Sequence, residues 1–468
     1  MNLEKSAEIS MDWPTTRLEG NRLFFADISG KLEAMKSNSH RMFVSSDAID
    51  VEACQIDKSG CKPAKISSVG GLVKYLENVE KPGAAASTIL PASEIFFIRQ
   101  PHSRARFAIS EPAAKLLFSR LSILPTFGSI LTCFGVENGP CAEGRSGFYE
   151  DTRASESGSL TLDTGYILKH VEGKPGSQIP WSIRQMGIYQ SYSTSTKTSS
   201  SLLLQSSARV QKFIFDLAQD GGITQLSNHW THLHEIYLGT MSSGWTDYIK
   251  LLDEKVSDIE NDVRFTRREM PSRVTFTTLQ HLSKYSDLLI RILHALQLNI
   301  SILERLSETA IRRQNLDVES SSAHYEAFQD SLRTCLTEQH FLKHHAGLVL
   351  NCAQEITALV RNIVTLADSD VMLTLTQKTI QEAQTMKTIT FVALIYLPAS
   401  FVATFLSMGF LHIESVEGTM RLNVSKDMWF FLILTVPLML ITLLGWWLWE
   451  LIIRRRANAA MKDRDEEG

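Results

Sequence analysis

Two long uncharged runs near the C-terminus constrain this chain most. Ile389 to Leu411 carries no Asp, Glu, Lys or Arg over 23 positions, and Trp429 to Trp449 carries none over 21. A helix of about 20 apolar residues crosses the hydrocarbon core of a bilayer. A single run of this kind is also met in buried core helices. Two in close succession, both longer than usual core helices, predict a transmembrane pair. Trp429 opens the second run, and Trp446, Trp447 and Trp449 close it, as an interfacial aromatic belt would. Arg454, Arg455 and Arg456 follow. The excess of arginine predicts a cytoplasmic C-terminus, and two spans return the N-terminal part to the same side. Lys387, just before the first run, agrees. The loop of residues 412–428 is short, so an external ligand-binding domain is not expected.

The remainder reads as a large soluble part. The chain has 468 residues, 44% of them hydrophobic, with a formal charge of -4. That is apolar enough for two or three packed domains and gives no reason to expect a nucleic-acid partner. The six cysteines form no CxxC pair, which predicts reduced cytosolic thiols rather than a zinc knuckle. The N-terminus, MNLEKSAEISMDW, has acids and no apolar centre, so it reads as neither a signal nor a transit peptide. The expected organisation is an α/β cytosolic domain over 1–240 and a helical region with a long stalk helix over 241–388. Transmembrane helix 1 follows over 389–411 and an extracytoplasmic loop over 412–428. Transmembrane helix 2 occupies 429–453 and a charged cytoplasmic tail 454–468.

Within 1–240, Ser93 to Gln100 reads as a strand. Ser110, Glu111 and Pro112 open a helix with a cap residue, an acid and a first-turn proline. Trp181 to Tyr192 and Ser201 to Gln205 predict a hairpin, and Gly135 to Gly165 a loop. His229, His232 and His234 are metal-ligand residue types. His229 and His232 share a helical face and His234 does not, so with no fourth ligand in sight no metal is assigned. His340 and His344 are read as interfacial or exposed. The acids Asp253, Glu254, Asp258, Glu260 and Asp262 read as a solvated face, with divalent-cation sensing between subunits as the alternative. No phosphate-binding glycine loop or nucleophile elbow is present, and no cofactor or enzymatic activity is expected.

From 245 onward the pattern is helical. Trp245 to Met270 is one helix, and Leu279, Leu282, Leu289, Leu293, Leu296, Ile300 and Leu303 mark a second, amphipathic one. Phe328, Leu332, Cys335, Gln339, Leu342, Ala346, Val349, Ala353, Ile356, Val360, Ile363 and Ala367 then follow steps of four and three, the seam of a coiled-coil-like helix. With no proline between Pro271 and Pro398, one helix is expected from about Ser322 to Phe410. The seam turns polar at Asp370, Thr374, Gln377, Gln381, Gln384 and Thr388. This fits helices that surround water near the membrane, and equally a solvent-exposed face. Ala393, Leu397, Ser400, Thr404 and Ser407 form another stripe. Its hydroxyls suit a hydrated ion, and equally close helix packing.

The segment from Met386 to Phe410 resembles the pore helix of the CorA-type magnesium transporter family. Met386, Lys387, Pro398, Ser400, Phe401 and Met408 stand at the family's spacing, and the looser N-terminal half looks like the divergent fungal CorA-like branch. The layout is similar too, with a cytosolic domain, a stalk helix, two close spans and a basic tail. The resemblance implies a homo-oligomer, a pentamer, in the lipid bilayer of the plasma membrane. It would conduct divalent metal cations, magnesium first among them, through a pore lined by transmembrane helix 1. Ser400, Thr404, Ser407, Met408 and Gly409 would line that pore, Met386 and Leu397 would form its hydrophobic constrictions, and Glu414 and Glu417 would be the acids at its mouth. The family's Gly-Met-Asn is Ser407-Met408-Gly409 here. Gly409 has no carboxamide, so the ion is left open. The alternative is a non-conducting, membrane-anchored scaffold or sensor derived from the family.

Overall fold

The computed structural model describes Trp13 and residues 28–57, 60–80, 93–102, 104–136, 144–154, 159–219, 229–264, 276–316, 322–407, 415–416, 419–420 and 427–466. The chain divides into two compact units, Met1–Asn362 and Ile363–Gly468.

The first unit is built on a seven-stranded sheet. Its strands are β2 (Ala48–Asp57), β3 (Gly60–Ser68), β4 (Ser93–Ile98), β6 (Phe148–Ala154), β7 (Leu160–Gly173), β8 (Trp181–Ser193) and β9 (Thr198–Leu204). They lie in the order β3-β2-β4-β9-β8-β7-β6. β4 and β9 pair in parallel at the centre, and every other neighbour is antiparallel. β1 (Phe43–Val44) and β5 (Phe107–Ser110) form a separate two-stranded parallel pair.

The centre of the sheet is buried on both faces, while the edge strands β3 and β6 are largely open. β4, Ser-Glu-Ile-Phe-Phe-Ile, is covered at all six positions. Side chains alternate across a strand, so Phe96 and Ile98 enter one core and Ile95 and Phe97 the other. The first core is closed by α1 (Ile28–Met42), α2 (Val69–Glu80), α3 (Glu111–Arg120) and α4 (Gly128–Leu131). α3 starts at Glu111 with Ser110 in the cap position, as the cap, acid and proline predicted. The second core is closed by α5 (Ala208–Gln219), α6 (Thr231–Met241), α8 (Phe276–Leu316) and the start of α9 (Ser322–Leu406). α7 (Trp245–Arg264) packs on α8. The expected hairpin is present: β8 and β9 pair from Gly187↔Leu204 to Ser193↔Thr198.

The stretch Gly135 to Gly165 is not a loop throughout. It contains β6 and the start of β7, paired from Phe148↔Tyr166 to Ala154↔Leu160. Gly165 serves packing, not turning. A Cβ there would lie 3.0 Å from the ring of Phe127. The thiols also differ from expectation. Cys54 is disulfide-bonded, while Cys133, Cys335 and Cys352 are in no disulfide. Pairing depends on where the fold places thiols, which CxxC spacing does not report.

The seam of α9 is buried from Phe328 to Val360, and Ile363 and Ala367 are half-buried. Its one polar residue, Gln339, is fully buried and hydrogen-bonded. Asn299 Nδ2 of α8 donates to Gln339 Oε1 (3.2 Å), and Gln339 Nε2 donates to Ser242 Oγ (3.3 Å). Asn299 also pairs with both backbone groups of Lys169 in β7, at 2.8 and 2.9 Å. Buried polar groups need such partners, and this set links sheet, α8 and α9. Arg313 of α8 is likewise buried. It donates to Thr164 Oγ1 and to the Asp163 carbonyl, both at 2.8 Å, and lies 4.5 Å over the Trp230 ring.

Leu303→Ala removes a fully buried side chain of α8 from the second core. It is expected to cost about 2–5 kcal/mol of stability, measured by denaturant unfolding of the full-length protein in detergent. A cost below about 1 kcal/mol would mean that α8 does not close this core. Glu94, buried in β4, is a second test. Burial raises its carboxyl above the ordinary value, against the opposing pull of Arg120 and a hydrogen bond from Gln55. A raised acid favours the fold below its unfolded-state pKa and loses that contribution as pH rises. Glu94→Gln is therefore expected to raise the melting temperature at neutral pH and to leave it unchanged in acid. An equal effect at both pH values would contradict a carboxyl raised by burial at Glu94.

Candidate functional site

The second unit holds the C-terminal part of α9 and α10 (Asp427–Glu466), with two residue pairs, β10 (Ser415–Val416) and β11 (Thr419–Met420), between them. Among the described residues two helices are long and apolar enough to cross a membrane, α8 and α9. α8 is the exception that core packing explains: 44% of its apolar stretch is buried, against 11% for α9. α10 contributes the shorter apolar stretch Ile433–Trp449.

α9 presents one covered stripe to α10. Val402 is 2% exposed, Pro398 is buried, and Leu394, Ile395 and Ala399 are half-buried. Phe391 meets Trp446 of α10 with ring centroids 5.6 Å apart. The predicted stripe lies elsewhere on the helix. Ala393, Leu397, Ser400, Thr404 and Ser407 are all exposed, as is Met386 one to two turns earlier. Tyr396 and Phe401 are exposed too, so exposure alone does not single the stripe out. Its hydroxyls do. The polar seam from Asp370 to Thr388 is also exposed throughout. Met408, Gly409, Glu414 and Glu417 lie outside the described residues.

Hydroxyls along this part of α9 donate to their own helix, three or four residues back. Thr404 Oγ1 donates to the Ser400 carbonyl (2.8 Å) and Ser400 Oγ to the Leu397 carbonyl (3.1 Å). Thr374, Thr385, Thr388 and Thr390 donate to the carbonyl four residues back, at 2.8–3.0 Å. This is the back-bonding expected of Ser and Thr inside a helix. It has an electrostatic consequence. A hydroxyl whose proton is spent on its own helix turns only lone pairs outward, and lone pairs accept from water or face a cation. Ser407 N–H closes the last turn on the Ala403 carbonyl (3.0 Å). The helix ends there, and a helix C-terminus carries the negative pole of the macrodipole.

A second group lies in the first unit. His229, just before α6, is 2% exposed. Burial, and then the neighbouring His324 and His232, push it down to about 3, so it is neutral. His234, which shares its stretch of sequence, takes no part. It sits on the other side of α6, hydrogen-bonded to Tyr166 through Nδ1 at 2.6 Å. His324, in the first turn of α9, stands beside His229 and His232 instead. Nothing in the sequence linked residues 92 positions apart. His340 and His344 line an open groove of about 420 Å³ with Leu293, Lys343 and Asn351. Of the five acids read as a solvated face, Asp253 lies 3.9 Å from His345, Glu260 pairs with Arg264, and Glu254 and Asp258 pair with lysines on their own helix.

The sequence profile of the CorA-like transporters matches residues 5–264. No curated protein matches the chain in sequence. Among solved structures it is similar to full-length CmaX, at 13% identity and a TM-score of 0.38, covering 87% of this chain and 99% of that one. It is similar to the soluble domain of CorA from Methanocaldococcus jannaschii, at 8% identity and a TM-score of 0.40, covering 68% and 99%. The complete CorA magnesium transporter of the same organism gives 13% identity and a TM-score of 0.32, covering 84% and 96%. At these scores the structures add likeness only, and the assignment rests on the sequence profile. That profile covers more than half of the 468 residues, and the chain belongs to the CorA-like transporters.

Proposed function

We propose that the chain assembles as a homo-oligomer that conducts divalent metal cations through a pore lined by α9. The observation that carries this reading is the stripe Ser400, Thr404 and Ser407, on a face that α10 leaves open and with hydroxyl protons turned inward at Ser400 and Thr404. Oxygen lone pairs suit hard cations that keep part of their water. Met408 and Gly409 would follow at the end of this face. Met386 and Leu397, apolar and exposed, would form constrictions that close by dewetting. Glu414 and Glu417 would concentrate cations at the mouth. Divalent cargo gains about 4.6 kcal/mol per 100 mV of inside-negative potential, twice the value for one charge. By likeness to the family the pore is a pentamer and magnesium the first cargo to try. The arginines Arg454 to Arg456 support a reading with both termini in the cytoplasm and the plasma membrane as the host bilayer.

Assembly has its own support. α9 carries a second apolar stripe besides its buried seam. Phe341, Leu348, Leu359, Leu366, Leu373 and Ile380 stand mostly seven residues apart and are 44–71% exposed. Seven-residue spacing suits helix pairing, and a second copy of the chain supplies such a helix. One observation favours the non-conducting scaffold instead: glycine at 409, where the family has asparagine.

Flux into liposomes under an inside-negative potential separates the two readings, with magnesium, nickel, cobalt and zinc tried separately. Flux of at least one ion is expected, with Ser400→Leu reducing it to the level of empty liposomes. No flux from protein shown to be folded and oligomeric would overturn conduction and leave the scaffold reading.

A further inference from the structure

Two open grooves lie end to end between α8 and α9. His340, His344, Gly347 and Asn351 of α9 line the first, of about 420 Å³, with Leu293 of α8. Gln354, Ala358 and Arg361 line the second, of about 530 Å³, with Phe276, Ser283 and Ser286 of α8. From 340 to 361 these α9 positions alternate steps of four and three, so they form one stripe. At 1.5 Å per residue the stripe is about 32 Å long. Gly347 lies on its floor. Glycine is a poor helix former, and a Cβ at 347 would meet nothing within 4 Å. Packing within one copy does not require glycine there, whereas a second helix lying close in the groove would.

Beside this groove α9 raises an exposed ridge. Phe341, Leu348 and Glu355 follow at seven residues, and Leu359 stands one turn on. The ridge is flanked by acids. Asp253 of α7 lies 3.9 Å from His345, which is a helical neighbour of both Phe341 and Leu348. Burial, and then Glu260, Glu355 and Asp253, push the Cys352 thiol up, so all three carboxylates crowd that side of α9. The groove has the opposite charge. Lys343 and Arg361 line it together with the two imidazoles, and no Asp or Glu is among the lining residues. Ridge and groove also share the seven-residue repeat, 341 to 348 on one and 340, 347, 354 and 361 on the other.

We propose that the groove between α8 and α9 receives the ridge of a second copy of this chain, with Phe341 and Leu348 seated over Gly347 and against α8. Matching repeat and opposite charge on the two surfaces of one chain select a second copy as the occupant. Ridge and groove are different surfaces, so the contact is heterologous. Repeated about an axis it builds a ring, whereas a two-fold pair would need one patch to meet itself. The inference rests on the homo-oligomer reading above and not on conduction.

Photo-crosslinking of the full-length protein tests this. One tagged chain, with Phe341 replaced by p-benzoylphenylalanine, is produced together with a parent chain carrying a different tag. Irradiation is expected to give a covalent dimer bearing both tags, with capture between Phe276 and Leu293 of the parent chain. Gly347→Trp in the parent chain is expected to abolish that capture, and the same substitution in the benzophenone chain to leave it intact. Should Gly347→Trp fail to fold, Lys343→Glu in the parent chain takes its place, with capture again expected to fall. Capture only at Phe341 or Leu348 of the parent chain would mean that ridge meets ridge, and would overturn the proposal. So would capture indifferent to both groove variants, or no capture between copies in protein that light scattering shows to be oligomeric. Monomeric protein by light scattering would instead sink the homo-oligomer reading itself, and this contact with it.

Discussion

An α-helix offers a sheet or a neighbour only a limited stripe of its surface, and α9 uses its stripe in two ways. From Phe328 to Val360 the stripe is apolar and buried, with Gln339 the single polar member and fully bonded. Beyond Ala367 the same spacing carries Asp370, Thr374, Gln377, Gln381, Gln384 and Thr388, all exposed. One helix thereby belongs to the core of the first unit and continues into the second. The seven-stranded sheet makes the first part possible. Its central strand β4 is covered on both faces, and α8 and α9 close the second of the two cores.

The helices were legible because their signals are local and repeated. Steps of three and four over ten turns leave little freedom, and no proline interrupts α9 before Pro398, which the helix passes. The uncharged runs were equally plain. Strands β6 and β7 were hidden because a Gly- and Ser-rich stretch reads as loop, whereas Gly165 is a contact point for Phe127. The disulfide at Cys54 and the placing of His324 beside His229 and His232 depend on tertiary neighbours. No spacing in the sequence encodes them.

The stripe in α9 was legible only in part. The positions could be counted along the helix, but not the direction in which each hydroxyl spends its proton. The back-bonds of Ser400 and Thr404 bear on both alternatives. They are what small polar residues do in any helix, and they also leave oxygens facing outward as acceptors. The covered stripe at Leu394, Pro398 and Val402 narrows the choice, since α10 does not use the hydroxyl face for packing.

Whether that face meets water or lipid is the central question. Spin labels placed singly at positions 389–407 of the protein in liposomes answer it, through collisions with a water-soluble relaxant and with oxygen. A lining face predicts access of the water-soluble relaxant peaking at Ala393, Ser400, Thr404 and Ser407, with oxygen dominant at Tyr396 and Phe401. Oxygen dominant all round the helix, with no peak at those four positions, would contradict a water-filled path along α9.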